Sequence, residues 1–394
     1  MNRFAAALST EAATDAAVAQ ACSEAVQAMD GARPSLAVLF VSHDHAGSFD
    51  DIARQVRART HAGSLIGAAV QTVVGGGQEI EEGPALSLWL AHFPDGEVET
   101  FQLNVETEED AVHVHGFPGI EENVDVVAER VSLLMLADPH TFPADLFLRQ
   151  INESRPGLRI SGGNASGEKG KTALFLDDAC VRAGAVGVVL RHVTVRNVVS
   201  QGCRPVGRAM VITKAHDNVI EELAGKPALE QLQRVYDESP DDEKLLLQTA
   251  IRDGGFHIGQ VVDEHLSHPS RGDFLVRSVM GFDKSGKAVH IGDVARRGRT
   301  VRFHVRDAVS ADEDLRDLLT GARTSRSPAS ALLFTCNGRG TRLFEAPDHD
   351  ASAIQKHLGP VPTAGCFAAG EIGPIGGKNF LHGFTASLAL FDEA

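Results

Sequence analysis

The sequence predicts a mixed α/β fold, an α+β arrangement of two halves in which mixed sheets pack against helices, and three observations carry that expectation. Three stretches share one order of segments: an apolar strand, a polar loop, a short amphipathic helix, a small-residue strand, a glycine-rich loop and a closing apolar strand. The chain has 394 residues, beyond the size at which one hydrophobic core usually stops growing, so two domains or an internally repeated core are expected. Hydrophobic residues at 43% and charged residues at 23% fit a folded globular chain and exclude disordered, collagen-like and coiled-coil classes.

Taken in order, residues Glu11 to Met29 place Ala17, Val18, Ala21, Ala25, Val26 and Met29 on one helical face, and Gly31 and Pro34 end the helix. The first repeated stretch has the strand PSLAVLFVS from Pro34 and a helix with Phe49, Ile52, Ala53 and Val56 at i, i+3, i+4 and i+7. The segment GSLIGAAVQTVVGGG and the strand ALSLWLAHF complete it. The second has SLLMLAD, a helix with Ala144, Phe147, Leu148 and Ile151, then LRISGGNASG and the strands TALFLDD and AVGVVLR. A helix from Asn218 to Tyr236, broken by Gly225 and Pro227, and a charged linker DESPDDEK follow. FHIGQVVDE, FLVRSVMGFD, KAVHIGDV and TVRFHVRD read as antiparallel strands between turns. The last stretch, PASALLFTC from Pro328, a helix with Ala351, Ile354 and Leu358, TAGCFAAGEIGPIGG and FTASLALF, matches the first most closely. The expected division is an N-terminal helix over 1–33, a first domain over 34–237 and a second over 238–394.

The formal net charge of −16 repels phosphate backbones and anionic membrane surfaces, so neither nucleic acid nor a membrane is an expected partner. The amino terminus reaches Glu11 without the apolar core of a secretory signal, and the long uncharged stretch from His61 to Gln78 is broken by Gly75 to Gly77. A soluble, cytoplasmic protein is expected. Cys22, Cys180, Cys203, Cys336 and Cys366 are odd in number, widely spaced and without a CxxC pair, which predicts free thiols.

The segments GAAVQTVVGGGQEIEEGPALSLWLAHF, ISGGNAS and QGCRPVG, with the terminal block ALLFTCNGRGTRLF to VPTAGCFAAGEIGPIGGKNFLHGFTASLALF, resemble proteins with paired FIST N and FIST C domains. The resemblance runs from about Pro34 to Phe391 and is most specific in the terminal block, so it names the domains over 34–237 and 238–394 FIST N-like and FIST C-like. It implies an intracellular sensory module that binds a small ligand such as an amino acid, often beside signalling domains; a eukaryotic branch sits on an F-box ubiquitin-ligase component. Ala68 stands where a Cys commonly follows the glycine at position 67, so a role built on that thiol is not expected here.

The densest polar constellation joins Cys336, Gly338, Arg339 and Gly340 at one strand end with Gly365, Cys366, Gly370, Glu371, Gly373 and Pro374 about thirty residues on. Glycines there let a ligand approach the backbone. Arg339 offers two parallel hydrogen bonds to a carboxylate and Glu371 accepts from an ammonium, which suits a zwitterion; alternatively the two pair with each other and hold two loops together. Asn379, His382 and Thr385 are candidates for the same rim, with a turn histidine as the simpler account of His382. In QGCRPVG, Arg204 beside Cys203 favours a thiolate, yet a buried packing cysteine is the plainer reading.

The loop from Gly162 to Thr172, Glu168 included, ends in GKT, but Ala165 stands where a phosphate loop needs glycine and TALFLDD reads as a strand, so a hairpin is expected and no nucleotide cofactor. The clusters His43-Asp44-His45, His113-Val114-His115 and His257, His265, His268 lack partners at metal-ligand spacing, so no metal is expected. Acidic runs over Glu106 to Asp110, Glu121 to Asp125 and Pro240 to Glu243 read as solvated loops. Three functions remain open: a sensory module binding a small polar ligand such as an amino acid and signalling to a protein partner; an interaction scaffold without ligand; and an enzyme using Cys203 or Cys366 on a small substrate. The absence of a catalytic motif favours the first two.

Overall fold

In a computed structural model of the protein, the described residues are 1–109, 111–121, 124–167, 169–283 and 287–393. Asp110, Glu122 and Glu168, from the acidic runs and the glycine loop, lie outside them. Among the described residues 41% lie in strands and 26% in helices, a mixed α+β protein.

The chain opens with β1 (Arg3–Ser9) and α1 (Thr14–Ala28). It continues through β2 (Leu36–Ser42), a 3-10 turn (His43–Ser48), α2 (Phe49–Thr60), β3 (Ser64–Val70), the hairpin β4 (Val73–Gly75) and β5 (Gln78–Ile80), and β6 (Leu86–His92). The second stretch is β7 (Glu97–Glu108), β8 (Ala111–His115), β9 (Ser132–Ala137), α3 (Ala144–Ser154), β10 (Arg159–Asn164), the hairpin β11 (Leu174–Leu176) and β12 (Ala179–Val181), and β13 (Ala185–Arg191). After β14 (Val195–Ser200) come β15 (Arg204–His216), β16 (Val219–Leu223), β17 (Lys226–Pro227), α4 (Ala228–Glu238), α5 (Asp241–Asp253), β18 (Phe256–Val261), β19 (Phe274–Asp283), β20 (Ala288–Ile291), β21 (Thr300–Val305) and α6 (Ala308–Ser325). The third stretch ends the chain with β22 (Ser330–Cys336), a 3-10 turn (Gly340–Arg342), α7 (His349–Leu358), β23 (Thr363–Ala368), the hairpin β24 (Glu371–Ile375) and β25 (Lys378–His382), and β26 (Ala386–Phe391).

The compact units do not follow one cut along the chain. Residues 1–199 with 315–394 form the first unit, and 200–314 form the second. The second is therefore inserted between the second and third stretches, after β14 and before β22. Local pattern places a boundary where composition changes; it cannot show that the chain later returns to finish an earlier core.

Within the first unit each stretch supplies one parallel pair bridged by a helix, β2/β3 through α2, β9/β10 through α3 and β22/β23 through α7. A parallel pair needs such a crossover. Each closing strand returns antiparallel to the first strand of its pair: β6 to β2, β13 to β9, β26 to β22. The hairpins do not stay at home. β4 of the first stretch adds to β23 of the third, β11 of the second adds to β3 of the first, and β24 of the third adds to β10 of the second, so the exchange closes in a ring.

The strands on both sides of each parallel pair are buried on both faces, which explains their unbroken apolar runs. Leu36, Val38 and Phe40 meet Leu134, Leu136, Leu332 and Phe334 in a central core shared by the three sheets. The alternate residues Ala37, Leu39 and Val41 face α1 and α2 instead, and equivalent outer cores lie under α3 and under α6 with α7. The single tryptophan, Trp89, donates its indole N–H to Ser330 Oγ at 2.7 Å inside that centre. Among the described residues no helix is long and apolar enough to cross a membrane.

In the second unit β15 pairs with β21 through its first half and with β16 through its second. The order β15-β21-β18-β19-β20-β16 thus closes on itself as an antiparallel barrel. A shift of register between Val206 and Met210, with Gly207 at positive φ, bends β15 enough to serve both neighbours. Three local expectations change, two in this unit and one in the first. Val219–Leu223 is a strand rather than the start of a helix: it pairs with β15 and β20, and Ile220 and Leu223 enter the barrel core. The charged DESPDDEK segment is not a linker: from Asp241 it forms the acidic first turn of α5, where carboxylates favour the helix dipole. The N-terminal helix is preceded by β1, an edge strand beside β6.

His257 and His304 are register partners on β18 and β21, both buried, on the faces opposite Ile258 and Phe303. The missing side chain of Gly259 makes room for the His304 ring. Burial, with Arg306 beside His257, and burial, with Arg302 and His257 beside His304, pushes both down to about 4. Both are neutral in the fold while the unfolded chain protonates near 6.5, so stability is lost as pH falls from 6.5 towards 4 and levels off below. A loss on the order of 2–3 kcal/mol per histidine is expected between pH 7 and 4.5. Urea unfolding against pH checks it: the slope in that window should roughly halve in a His304→Gln variant, and an unchanged slope would refute the assignment.

Candidate functional site

Ligands of α/β sheets bind where loops leave the carboxyl ends of the strands. In the first unit such loops surround a cleft of about 1170 Å³. The first stretch contributes His43, Asp44 and Ala46 after β2, Phe49 at the head of α2, Gln71 and Thr72 after β3, and Glu81, Glu82 and Gly83 after β5. The second contributes Gly167, Gly170 and Lys171 after β10 and Arg182 after β12, and the third Asn337, Thr341, Arg342 and Phe367. All three stretches thus line one cavity.

Short bonds between stretches fix these loops. Ser166, buried, accepts from Gln71 N at 2.8 Å and donates to Phe367 O at 2.8 Å. His43 Nε2 donates to Ser166 O at 2.8 Å. Glu81 accepts from Thr341 N and Thr341 Oγ1 at 2.8 and 2.7 Å, tying the β4–β5 hairpin to the loop after β22. Arg182 bonds Asp50 at 2.7 Å with its guanidinium 6.0 Å above the Phe49 ring. The walls carry three carboxylates, Asp44, Glu81 and Glu82, and three cations, Lys171, Arg182 and Arg342. Among the described residues Glu82 and Arg342 make no side-chain hydrogen bond or ion pair, so these two charges are available at the rim.

Beside this rim lies a dry ionic network. Arg339 is fully buried and forks onto Asp350, Nε to Oδ2 and Nη2 to Oδ1, both at 2.7 Å. Thr335 Oγ1 and His349 Nδ1 also donate to Asp350, at 2.6 and 2.9 Å. Burial alone would raise the Asp350 carboxyl, but Arg339 and these donors hold it well below the usual range. Glu79, from β5, accepts from Asp350 N and Ala351 N at the start of α7, and burial with the nearby Asp350 charge pushes its carboxyl well up. The partner of Arg339 is therefore Asp350, not Glu371, and a guanidinium with no exposure and a filled fork offers no clamp to a ligand. Eleven residues of sequence and an intervening turn hide that pairing from any local pattern.

The other predicted residues also have structural partners. Glu371, fully buried on β24, accepts from Thr385 N at 2.9 Å. His382 Nε2 donates to Gly373 O at 2.9 Å across the β24–β25 hairpin. Asn379 accepts from Ile160 N at 2.8 Å and donates to Leu158 O at 2.7 Å, and it exchanges bonds with Asn152 of α3. Asn379 thus latches the third stretch's hairpin onto the second, while Glu371 and His382 make these bonds within the third stretch. Cys336 is half-buried, its sulfur accepting from Gly338 N at 3.4 Å. Cys366 is buried, and burial together with Glu371 pushes its thiol far up, the opposite of an activated nucleophile. Cys203, buried, and Arg204, half-buried at the head of β15, belong to the second unit, whereas the cleft belongs to the first.

Of the segments expected to form the pocket, 336–340 and 365–374 supply only Asn337 and Phe367. Glu81, Glu82, Arg182 and Arg342 escaped sequence reasoning, although each follows a predicted strand. His43, Asp44 and Lys171 drew attention for metal or phosphate chemistry instead. The HDH segment is a 3-10 turn in which His45 is buried while His43 lines the cleft. Lys171 is followed by the strand β11 and no helix, so no helix N-terminus backs a phosphate there. Among the described residues no three His, Cys, Asp or Glu side chains converge as a metal set.

Comparison with known proteins follows this architecture. The FIST N domain matches residues 35–226 and the FIST C domain residues 228–374. The chain is 43% identical over 380 residues to the uncharacterized protein Rv0628c of Mycobacterium tuberculosis, covering 95% of this chain and 96% of that one. It is 42% identical over 379 residues to the uncharacterized protein Mb0898c of Mycobacterium bovis, covering 95% of each. With both domains matched in order over nearly its whole length, the chain belongs to the FIST family.

Proposed function

We propose that the protein is a cytoplasmic sensory module whose first-unit cleft binds a small zwitterionic metabolite of the amino-acid class and signals its occupancy to a partner protein. FIST domains are generally ligand-binding modules of signal transduction, which supports the coarse reading. The observation that carries the finer one is the cleft itself, where loops from all three stretches bring carboxylates and cations to one rim. A free amino acid needs both signs: Arg342 and Lys171 suit its carboxylate, and Glu82 and Asp44 suit its ammonium. The net charge of −16 favours such a ligand over a polyanion. A ligand bridging these loops would shift the population of their arrangements, which a partner can read.

Thermal unfolding against a panel of amino acids and related metabolites tests the reading. A compound present at about 100 times its Kd stabilises by roughly 2.7 kcal/mol and raises Tm. The rise is expected to disappear in Arg342→Ala and Glu82→Ala, whose side chains hold nothing else in place. A panel without a shift, or a shift that survives both substitutions, would overturn it.

A further inference from the structure

A second cavity of the first unit, about 180 Å³, opens at the N-terminal ends of β9 and β10, lined by Arg130, Ser132, Arg159 and Thr194 with apolar neighbours. Ser132 and Arg159 are register partners across the parallel pair, so their side chains rise from the same face. Ser132 is 7% exposed, and its hydroxyl has no hydrogen-bond partner. Its counterpart at the head of β22, Ser330, accepts from Trp89 and donates to Pro362 O at 2.6 Å. A buried hydroxyl left without a partner is unusual and calls for one.

The two arginines are also unengaged. Among the described residues neither Arg130 nor Arg159 makes a side-chain hydrogen bond or ion pair, in a chain with 53 acidic residues against 37 Lys and Arg. Two other arginines of this unit are paired, Arg191 with Glu99 and Arg196 with Asp392. Arg130 moreover sits at φ 49, a left-handed backbone that a long side chain seldom adopts. The surroundings enforce it: Asp125 caps Val127 N and Ala128 N, Val131 N bonds Val126 O at 2.9 Å, and His192 N bonds Glu129 O at 3.0 Å. Strain held in this way is a mark of functional positions.

We infer that this cavity binds an oxyanion of phosphate size. The Arg130 and Arg159 guanidiniums donate to its outer oxygens, and the Ser132 and Thr194 hydroxyls donate from the floor and side. The volume holds one such group, either free inorganic phosphate or the phosphate of a small monoester. The site is distinct from the larger cleft and does not depend on the reading given to it.

Calorimetry and thermal unfolding of the full chain, in phosphate-free buffer at fixed ionic strength, test the inference with inorganic phosphate, sulfate and glycerol phosphate as probes. Saturable binding and a rise in Tm of about 2–4 °C are expected with phosphate at about ten times its Kd. The Arg130→Ala/Arg159→Ala double variant should lose both, and Ser132→Ala should weaken binding roughly tenfold. Without anion, Ser132→Ala should be at least as stable as the parent, because it removes a buried hydroxyl that no protein group satisfies. Equal binding of phosphate and glycerol phosphate would show that the anion alone is read; tighter binding of the monoester would point to a phosphorylated metabolite. Absence of binding by all three probes, or binding unchanged in the double variant, would overturn the inference.

Discussion

Asp350→Ala is expected to destabilise the first unit by about 3–5 kcal/mol, because it strands a charged guanidinium in a site without exposure. Arg339 then loses both its side-chain hydrogen bonds and its counter-ion, while Glu79, whose carboxyl is raised partly by the Asp350 charge, is freed to ionise. That ionisation offers partial compensation, so the loss should be smaller at high pH than at neutral pH. Replacing both partners by apolar residues of similar size, Arg339→Met with Asp350→Leu, should cost much less than either single change, since it leaves no buried charge behind. Chemical unfolding of the two single variants and the double variant resolves these cases. A single-variant loss below about 1 kcal/mol would mean that water reaches the pair and that the network is not a structural clamp.

Gly365→Ala is expected to be at least as damaging. A Cβ at Gly365 would stand 2.2 Å from Leu333 O, its neighbour in the parallel pair. The same contact recurs at Gly67, 2.4 Å from Leu39 O, and at Gly162, 1.8 Å from Met135 O. These are equivalent positions of β3, β10 and β23, each opposite the middle of its parallel partner. Backbone cannot yield as a flexible side chain can, so one methyl group must push a sheet apart at the shared core; a loss beyond about 3 kcal/mol, or failure to fold, is expected. Gly321 in α6 has open space around it, and Gly321→Ala should instead stabilise by roughly 0.5–1 kcal/mol. Equal effects of the two substitutions would refute the close-approach account.

These glycines also show how much the sequence could tell. Its abundance of glycine at strand ends and in small-residue strands was legible, and so was the order of strand, helix, hairpin and strand in each stretch. Segments such as PSLAVLFVS and PASALLFTC announce strands because burial on both faces removes polar residues at every position. The helices with Ile52, Val56, Ile151 and Ile354 on one face were legible for a similar reason: the apolar stripe must repeat with the turn of the helix.

The candidate site was legible only in its style, strand-end loops rich in glycine and charge. Arg339, Glu371, Asn379 and His382 were conspicuous because they stand among glycines, yet each is spent on holding hairpins and loops. Glu82 and Arg342 were inconspicuous and stand at the rim. Polarity and spacing report which side chains can bond, not which ones already have partners.

What the sequence by itself determined is therefore local: the period of each segment, the turns between them, and an order of elements shared by three stretches. Only the tertiary structure decided that β4 leaves the first stretch for β23, that β11 joins β3 and β24 joins β10, and that residues 200–314 form a barrel inserted between the second and third stretches. Backbone period is set by steric and burial rules acting over a few residues. The choice of sheet edge is set by which closed arrangement buries the central core and satisfies every strand, a condition on the whole chain that no window of sequence contains.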